Sequence, residues 1–236
     1  FNPATGFMHP KNRSGEFIAD FDPIYGGGQG ARDYYTENNA WTYNFVNQHD
    51  VAGFIGLYGS RGAFETKLDR LWVEQYGGEF KSVYLLQFPD GTGMMGNYAA
   101  GNEPSFHIPY MYNYSGSPWK TQRKVRDIIR LWYHNHPLGI CGDEDGGAMT
   151  AWFVFSSMGF YPYCPGRASY DITSPLFERV KIHLQSGNSF EINAPGAAEN
   201  TYIHAATLNG APFERTWFTH ETLTAGGRLD LKLDRR

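Results

Sequence analysis

The spacing of apolar residues changes at Pro165-Gly166, and this change restricts the chain to folds in which helices precede strands. Upstream of it, apolar residues recur every three or four positions, as on the buried face of a helix. Ala148–Met158 is apolar nearly all round and is therefore predicted to be a central helix. Downstream, residues 180–184, 190–192 and 229–233 alternate apolar and polar side chains, which is typical of half-buried strands. We predict a mainly α chain with a β-rich C-terminal part made of antiparallel strands.

The remaining upstream segments divide into loops and helices. Residues 1–36 are rich in Gly, Pro, Asn and Asp, which favours long loops. From about Trp41 the pattern becomes helical, and helical spacing of apolar residues is clear at residues 51–58 and 64–72. A further helix is predicted at residues 104–114, and Ser117-Pro118 supplies the N-cap and first turn of the next one.

The composition excludes several classes of protein. Of the 236 residues 41% are hydrophobic and 19% are charged, so the chain can bury a core. The net charge of −4, without a stripe of Lys and Arg, argues against a nucleic-acid partner. No run of 18 apolar residues is present, so no membrane span is predicted. Aromatic residues reach 17%, which suits sugar stacking, an interface or a core of large rings.

Three consecutive carboxylates, Asp143, Glu144 and Asp145, lie between glycines just before the apolar segment. Crowded acidic side chains repel one another, so the cluster indicates either a nearby cation or proton transfer at fixed carboxylates. A solvated acidic turn is the alternative interpretation. The two cysteines, Cys141 and Cys164, flank the same segment and are too few for a disulfide scaffold.

A second carboxylate, Glu103, follows Asn102 and precedes Pro104. Helix capping alone explains such a sequence, because Asn is a good N-cap and an acid is favoured in the first turn. The functional interpretation is a helix start that offers carboxylate and amide oxygens to a hard cation such as Ca²⁺. His107 does not suit calcium and is instead predicted to hydrogen-bond a ligand.

A third carboxylate, Glu37, lies among aromatic residues that include Trp41. Desolvation there would raise the pKa of its carboxyl group, as a general acid requires. The alternative is a glutamate that merely leads into a helix.

The His49-Asp50 pair opens the next helix. Asp50 is either a helix cap or a ligand contact, and His49 either faces a pocket or has a structural role.

Three carboxylate-bearing loops in one aromatic-rich chain suit glycoside hydrolysis, which needs carboxyl groups on opposite sides of a sugar. No Ser/His/Asp hydrolase signature, phosphate loop or zinc-ligand spacing competes with this interpretation. The loops carry short motifs in a fixed order along the chain. These are Tyr35-Thr36-Glu37-Asn38-Asn39-Ala40-Trp41, His49-Asp50-Val51, Gly96-Asn97-Tyr98, Gly101-Asn102-Glu103-Pro104-Ser105 and Gly142-Asp143-Glu144-Asp145.

With these motifs the sequence resembles glycoside hydrolase family 92, the calcium-dependent exo-acting α-mannosidases. The resemblance implies that residues 1–165 form the C-terminal half of an (α/α)₆ catalytic barrel and residues 166–236 a β-rich region. It implies mannose-containing glycans, including N-glycans, as substrates, Ca²⁺ as cofactor and a secreted or periplasmic enzyme. Members of the family are much longer, so an N-terminal β-sandwich domain is expected as a missing partner.

The resemblance also implies roles for individual residues in an inverting mechanism. Glu37 matches the general acid, and Asp143 and Asp145 match the acidic pair that activates water. Glu103, with Asn102, is expected to bind calcium. The substrate contacts that we predict are Trp41, His49, Asp50 and His107.

The sequence departs from the family in two places and leaves two other functions open. Family members often have glycine at the position of Asn38, and two histidines where this chain has Phe106-His107. A non-catalytic carbohydrate-binding module is one alternative function. An inverting glycosidase for another sugar is the other.

Overall fold

The computed structural model describes residues 1–25, 34–75 and 91–235, so part of the predicted loop region at residues 1–36 lies outside the described residues. The chain divides into two compact units. The first unit consists of Phe1–Ile108 and Leu131–Met149, and the second of Pro109–Arg130 and Thr150–Arg236.

Three helices of the first unit begin at side chains that cap them. They are α1 (Ala40–Tyr43), α2 (Val51–Leu57) and α3 (Arg61–Leu71). Asn39, Asp50 and Ser60 each accept a hydrogen bond from a backbone N–H of the first turn, which would otherwise lack a partner. The helices predicted at residues 51–58 and 64–72 are confirmed, whereas the one near Trp41 is a single turn.

Aromatic rings form the core of the first unit. Phe45, Phe54 and Phe64 meet edge to face, with ring centroids 5.5–6.1 Å apart, and Tyr58 joins them. This geometry places the positive edge of one ring against the negative face of the next, which adds to the stabilisation from burial.

The segment after α3 differs from the sequence prediction. Strands β1 (Met94–Met95) and β2 (Tyr98–Ala99) pair as a hairpin, and α1 packs against β2. The predicted single helix at residues 104–114 is wrong, because the chain forms three short pieces: 3₁₀ turns at Glu103–Ser105 and Ile108–Met111, and α4 (Tyr112–Ser115). Proline has no N–H to donate to a helical ladder, and the two prolines of this segment favour the interruption.

The two long helices match their predictions in position. Helix α5 (Pro118–Trp132) begins at its proline, and α6 (Ala148–Met158) follows the acidic loop. Helix α6 was expected to be buried all round, yet Val154 is 44% exposed while Trp152 is buried. Within the described ranges, no helix combines the length and apolarity needed to cross a membrane.

The second unit contains two sheets built from strands β3 to β10. The strands are β3 (Phe160–Tyr161), β4 (Ser169–Ile172), β5 (Arg179–His183), β6 (Ser189–Asn193), β7 (Tyr202–Leu208), β8 (Ala211–Pro212), β9 (Trp217–Thr219) and β10 (Gly227–Asp234). One sheet has the order β5-β6-β10-β7-β8 and the other β3-β4-β9. The predicted antiparallel pairing is confirmed except between β6 and β10, which run parallel. A short helix, α7 (His220–Ala225), precedes β10.

Alternation along β10 explains how the larger sheet buries one face. Leu229, Leu231 and Leu233 are at most 9% exposed and join a core with residues of β6, while the residues between them are less buried. Helix α5 is attached to this unit through Arg126, whose Nη2 donates to the backbone carbonyls of Pro175, Ala197 and Asn200.

Candidate active site

Two glycines bring the Glu103 loop and the acidic loop together in the first unit. The backbones of Gly101 and Gly142 touch, since a β-carbon placed on Gly101 would lie only 2.9 Å from the Gly142 Cα. Thr92 joins both loops: its carbonyl accepts the Gly101 N–H at 3.2 Å, and its Oγ1 accepts the Gly142 N–H at 2.7 Å. This close approach requires residues without side chains and places Glu103 beside the acidic loop.

Glu103 and Asp145 form the centre of the candidate site. The pKa of the Glu103 carboxyl is raised to about 7, chiefly by burial, together with a hydrogen bond to the Asp145 side chain and the charges of Asp145 and Glu37. A backbone hydrogen bond opposes the shift. Three carboxyl groups from separate loops therefore interact, and such crowding favours a bound proton or a cation among them.

Glu37 reaches this cluster from the turn before α1. That helix packs against the 3₁₀ turn at Glu103–Ser105, and Asn39 caps it by accepting the Trp41 N–H at 3.0 Å. Asn38, between Glu37 and Asn39, has a φ of 48°, in the left-handed region that favours glycine and tolerates asparagine. The glycine that the family often has at this position fits the same backbone conformation.

The backbone of the acidic loop aims Asp145 and starts the next helix. Asp145 and Gly146 have φ values of 50° and 65°, so the chain turns sharply before α6. The carbonyl of Glu144 accepts the N–H groups of Gly147 at 3.3 Å and Ala148 at 3.0 Å, which gives Glu144 a backbone role at the helix start. Asp143 and Asp145 are both exposed, and Asp145 is the one that contacts Glu103.

Asn102 supplies a buried polar group beside Glu103. Its side chain is 1% exposed, and both of its amide atoms lack a hydrogen-bond partner among the described residues. A buried amide without partners is costly, so a ligand at this point would be favoured. Carboxylate and amide oxygens are the donors that calcium prefers, and the Glu103 and Asn102 pair therefore fits that ion.

Across residues 1–25, 34–75 and 91–235, no group of three or more His, Cys, Asp and Glu side chains is arranged to hold a metal ion by itself. Calcium also accepts amide oxygens, backbone oxygens and waters, so the fit above depends on such ligands completing the coordination.

Two of the predicted substrate contacts are buried inside the first unit. Trp41 is 2% exposed and packs edge to face on Phe7, with ring centroids 4.9 Å apart. His107 is 4% exposed, and its Nε2 donates to the Phe45 carbonyl. Burial lowers the pKa of His107 to about 4, and the carbonyl contact opposes this shift only in part. The ring is thus neutral, and a substrate contact of either residue stays a prediction.

The other two predicted contacts, His49 and Asp50, are exposed at the start of α2. Asp50 accepts the Gly53 N–H at 2.9 Å and so caps the helix. The structure thus shows the capping role among the alternatives for Asp50, and a sugar contact of this pair stays a prediction.

Sequence reasoning missed Asn97, which forms hydrogen bonds behind the Glu37 turn. Its motif, Gly96-Asn97-Tyr98, carries no charged or nucleophilic group and drew attention only through its order along the chain. One signal could have predicted the left-handed backbone conformation of Asn38: family members often have glycine at this position.

Comparison with known proteins is consistent across the whole chain. The family model described as the glycosyl hydrolase family 92 catalytic domain matches residues 1–235. A relative from Arthroderma benhamiae, described as an uncharacterized secreted glycosidase, is 33% identical over 201 residues, which are 84% of this chain and 23% of that protein.

Solved structures show the same relationship. The family GH92 α-mannosidase BT3965 of Bacteroides thetaiotaomicron, in complex with mannoimidazole, has a TM-score of 0.89 and 29% identity, covering 100% of this chain and 31% of that chain. The family GH92 inverting mannosidase BT2199 of the same species has a TM-score of 0.82 and 36% identity, covering 100% of this chain and 32% of the other. This chain thus covers 23% of the length of the Arthroderma benhamiae relative and 31–32% of the length of the two mannosidase structures. It belongs to glycoside hydrolase family 92, as part of the family's catalytic domain.

Proposed function

We propose that this chain is the C-terminal part of the catalytic region of an enzyme that hydrolyses terminal α-linked mannose with inversion and depends on calcium. The observation that carries the proposal is the interaction of Glu103 with Asp145 and Glu37, three carboxyl groups that the fold holds together. The similarity to two mannosidase structures, one described as inverting, supports the sugar and the stereochemistry.

In this proposal Glu37 is the general acid and the Asp143 and Asp145 pair is the base. Glu37 gives its proton to the glycosidic oxygen as the bond from that oxygen to the anomeric carbon breaks. A water on the opposite face of the sugar forms the new bond to carbon and loses its proton to the aspartate pair. Inversion requires room for that water, so the acid and base carboxyls should lie roughly 6.5–9.5 Å apart with substrate bound.

Glu103 and Asn102 are the residues that would hold calcium. When bound, the ion would supply positive charge beside the hydroxyl groups of the mannose and would so help to orient the sugar. A cation at this point would also offset the repulsion among the three carboxyl groups and satisfy the buried amide of Asn102.

The complete enzyme should contain more than this chain. We propose that residues 1–165 complete an (α/α)₆ barrel whose other helices, and an N-terminal β-sandwich domain, come from the rest of the protein. Secretion is proposed from the description of the Arthroderma benhamiae relative.

The test is mannose release from an α-linked mannose disaccharide, whose sugar leaving group needs protonation, by the full-length protein, with calcium present and after chelation. Glu37→Gln and Asp145→Asn, made separately, should each lower kcat by about 100-fold or more, the contribution of a general acid or base. Chelation should remove activity, and proton NMR should show the β-anomer as first product. Retained activity in either variant would reject that residue's role.

A panel of aryl glycosides of other sugars tests the alternative that the enzyme is a glycosidase for a sugar other than mannose. Calorimetry with mannose and calcium distinguishes a binding module, because sugar binding without hydrolysis would then persist when both acids are replaced.

A further inference from the structure

Two fully buried asparagines form a hydrogen bond directly behind the turn that carries Glu37. Asn39 is 1% exposed and Asn97 is not exposed at all. The Asn39 Nδ2 donates to the Asn97 Oδ1 at 2.7 Å, although 58 residues separate them in the chain. Buried polar groups are costly unless paired, so this contact fixes both side chains.

The partners of each amide determine the direction of the hydrogen bonds. The Asn39 Oδ1 accepts the Trp41 N–H at 3.0 Å, which leaves its Nδ2 to face Asn97. The Asn97 Nδ2 donates to the Glu74 carbonyl at 2.6 Å, which leaves its Oδ1 to face Asn39. Position 97 therefore uses an acceptor on one side and a donor on the other, which the oxygen and the nitrogen of the Asn97 amide provide.

The backbone of Asn97 is held as firmly as its side chain. Its N–H donates to the Leu71 carbonyl at 2.8 Å, at the end of α3, and its carbonyl accepts the Thr42 Oγ1 at 3.1 Å. Asn97 lies in the turn between β1 and β2, so it connects the end of α3 with the beginning of α1.

Glu37 lies two residues before Asn39, with the left-handed Asn38 between them. A rotation of Asn39 would change the direction of the turn and move the Glu37 carboxyl away from Glu103 and Asp145. We propose that Asn97 is a positioning residue for catalysis, which acts through Asn39 to hold Glu37 where it can protonate the leaving oxygen. The inference rests on the proposed role of Glu37 as general acid.

The experiment measures how kcat/KM depends on the leaving group in the full-length enzyme. Asn39→Ser keeps a good N-cap and removes the hydrogen bonds of the Asn39 Nδ2, the short one to Asn97 and a longer one to the Ile24 carbonyl at 3.4 Å. Asn97→Ala removes the Asn97 side chain together with its hydrogen bond to the Glu74 carbonyl. Both should lower kcat/KM about 10–100-fold for mannosides with poor leaving groups but less than about threefold for α-mannosyl fluoride, which needs little protonation. A loss of folded protein alone would lower the measured kcat/KM by the same factor for both substrates.

Thr42→Val is the matched control, because it removes a buried hydrogen bond to Asn97 without touching Asn39. It should lower stability and leave the leaving-group dependence unchanged. Equal losses on both substrates in Asn39→Ser, or the same pattern in Thr42→Val, would overturn the inference. Should Asn97→Ala fail to fold, Asn39→Ser alone decides the result. Glu37→Gln is measured alongside: if it lacks the leaving-group dependence, the proposed function fails instead.

Discussion

The two units of this chain each hold a carboxyl group whose pKa is raised to about 7, and the neighbours of these two groups act on the pKa in opposite directions. In the second unit Asp171 is 1% exposed, and burial raises its pKa to about 7. Hydrogen bonds from Tyr114 and Asn113 and the charge of Arg167 all oppose the shift. In the first unit, the pKa of Glu103 is raised to about 7 by burial together with two neighbouring carboxyl groups, Asp145 and Glu37.

This contrast supports a structural role for Asp171 and the proposed functional role for Glu103. Asp171 accepts the Tyr114 hydroxyl at 3.0 Å, so its environment supplies donors for an acid within the fold. Glu103 instead faces Asp145 and Glu37, an arrangement that costs stability unless a proton, a cation or a substrate enters. A raised pKa alone would not distinguish the two groups, whereas the sign of each neighbour's contribution does.

The largest expected effect sharpens this contrast through activity. Glu103→Gln removes a proposed calcium ligand and should lower mannose release at least about 100-fold, since even outer-shell changes at metal sites cost 10–100-fold. The matched change Asp171→Asn should keep activity within a few-fold of wild type. The rate of hydrolysis, measured for each variant over a series of calcium concentrations, gives both effects. Comparable losses in the two variants would break the distinction between the units.

The second prediction concerns stability and pH. The folded-state pKa of Asp171, about 7, lies above its usual 3.8, so the stabilisation is complete below about pH 4 and is lost as pH rises through 7. Between pH 5 and 8 this loss amounts to roughly 2 kcal/mol. Asp171→Asn stays neutral and should flatten this part of the profile, as measured by thermal unfolding of the full-length protein at a series of pH values.

The control for that profile is Glu199→Gln, also in the second unit. Glu199 is exposed and pairs with Arg235 at 3.0 Å, so its replacement should leave the pH dependence as in wild type. An unchanged slope in Asp171→Asn would show that this carboxyl titrates at its usual pKa in the folded protein.

The smallest effect compares one helix cap in each unit. Asp50 caps α2 and Thr219 caps α7, each by accepting a backbone N–H, at 2.9 Å and 3.1 Å. Alanine at either position should cost about 1 kcal/mol, and Asp50→Asn should cost little because asparagine caps equally well. KM for an aryl mannoside should change in none of them. A raised KM in Asp50→Asn with normal stability would instead support the predicted sugar contact.

Local patterns predicted most of the elements, because helices and strands depend on residues close in sequence. The spacing at residues 51–58 and the apolar segment Ala148–Met158 gave helices near their observed bounds, and alternation gave β5, β6 and β10. Prediction failed at residues 104–114, where prolines break the ladder into 3₁₀ turns. The parallel pairing of β6 and β10 also escaped it, since alternation does not determine the direction of a partner strand.

The sequence by itself determined which loops carry carboxylates and, through the order of its motifs, the family. Only the tertiary structure decided which of those carboxylates meet. Glu103 and Asp145, which are 42 positions apart in the sequence, become neighbours because the backbones of Gly101 and Gly142 touch. No local sequence pattern contains that contact. Likewise, Asn97 has nothing in its sequence surroundings to distinguish it. Its importance comes from partners at residues 39, 42, 71 and 74, which reach it only in the folded chain.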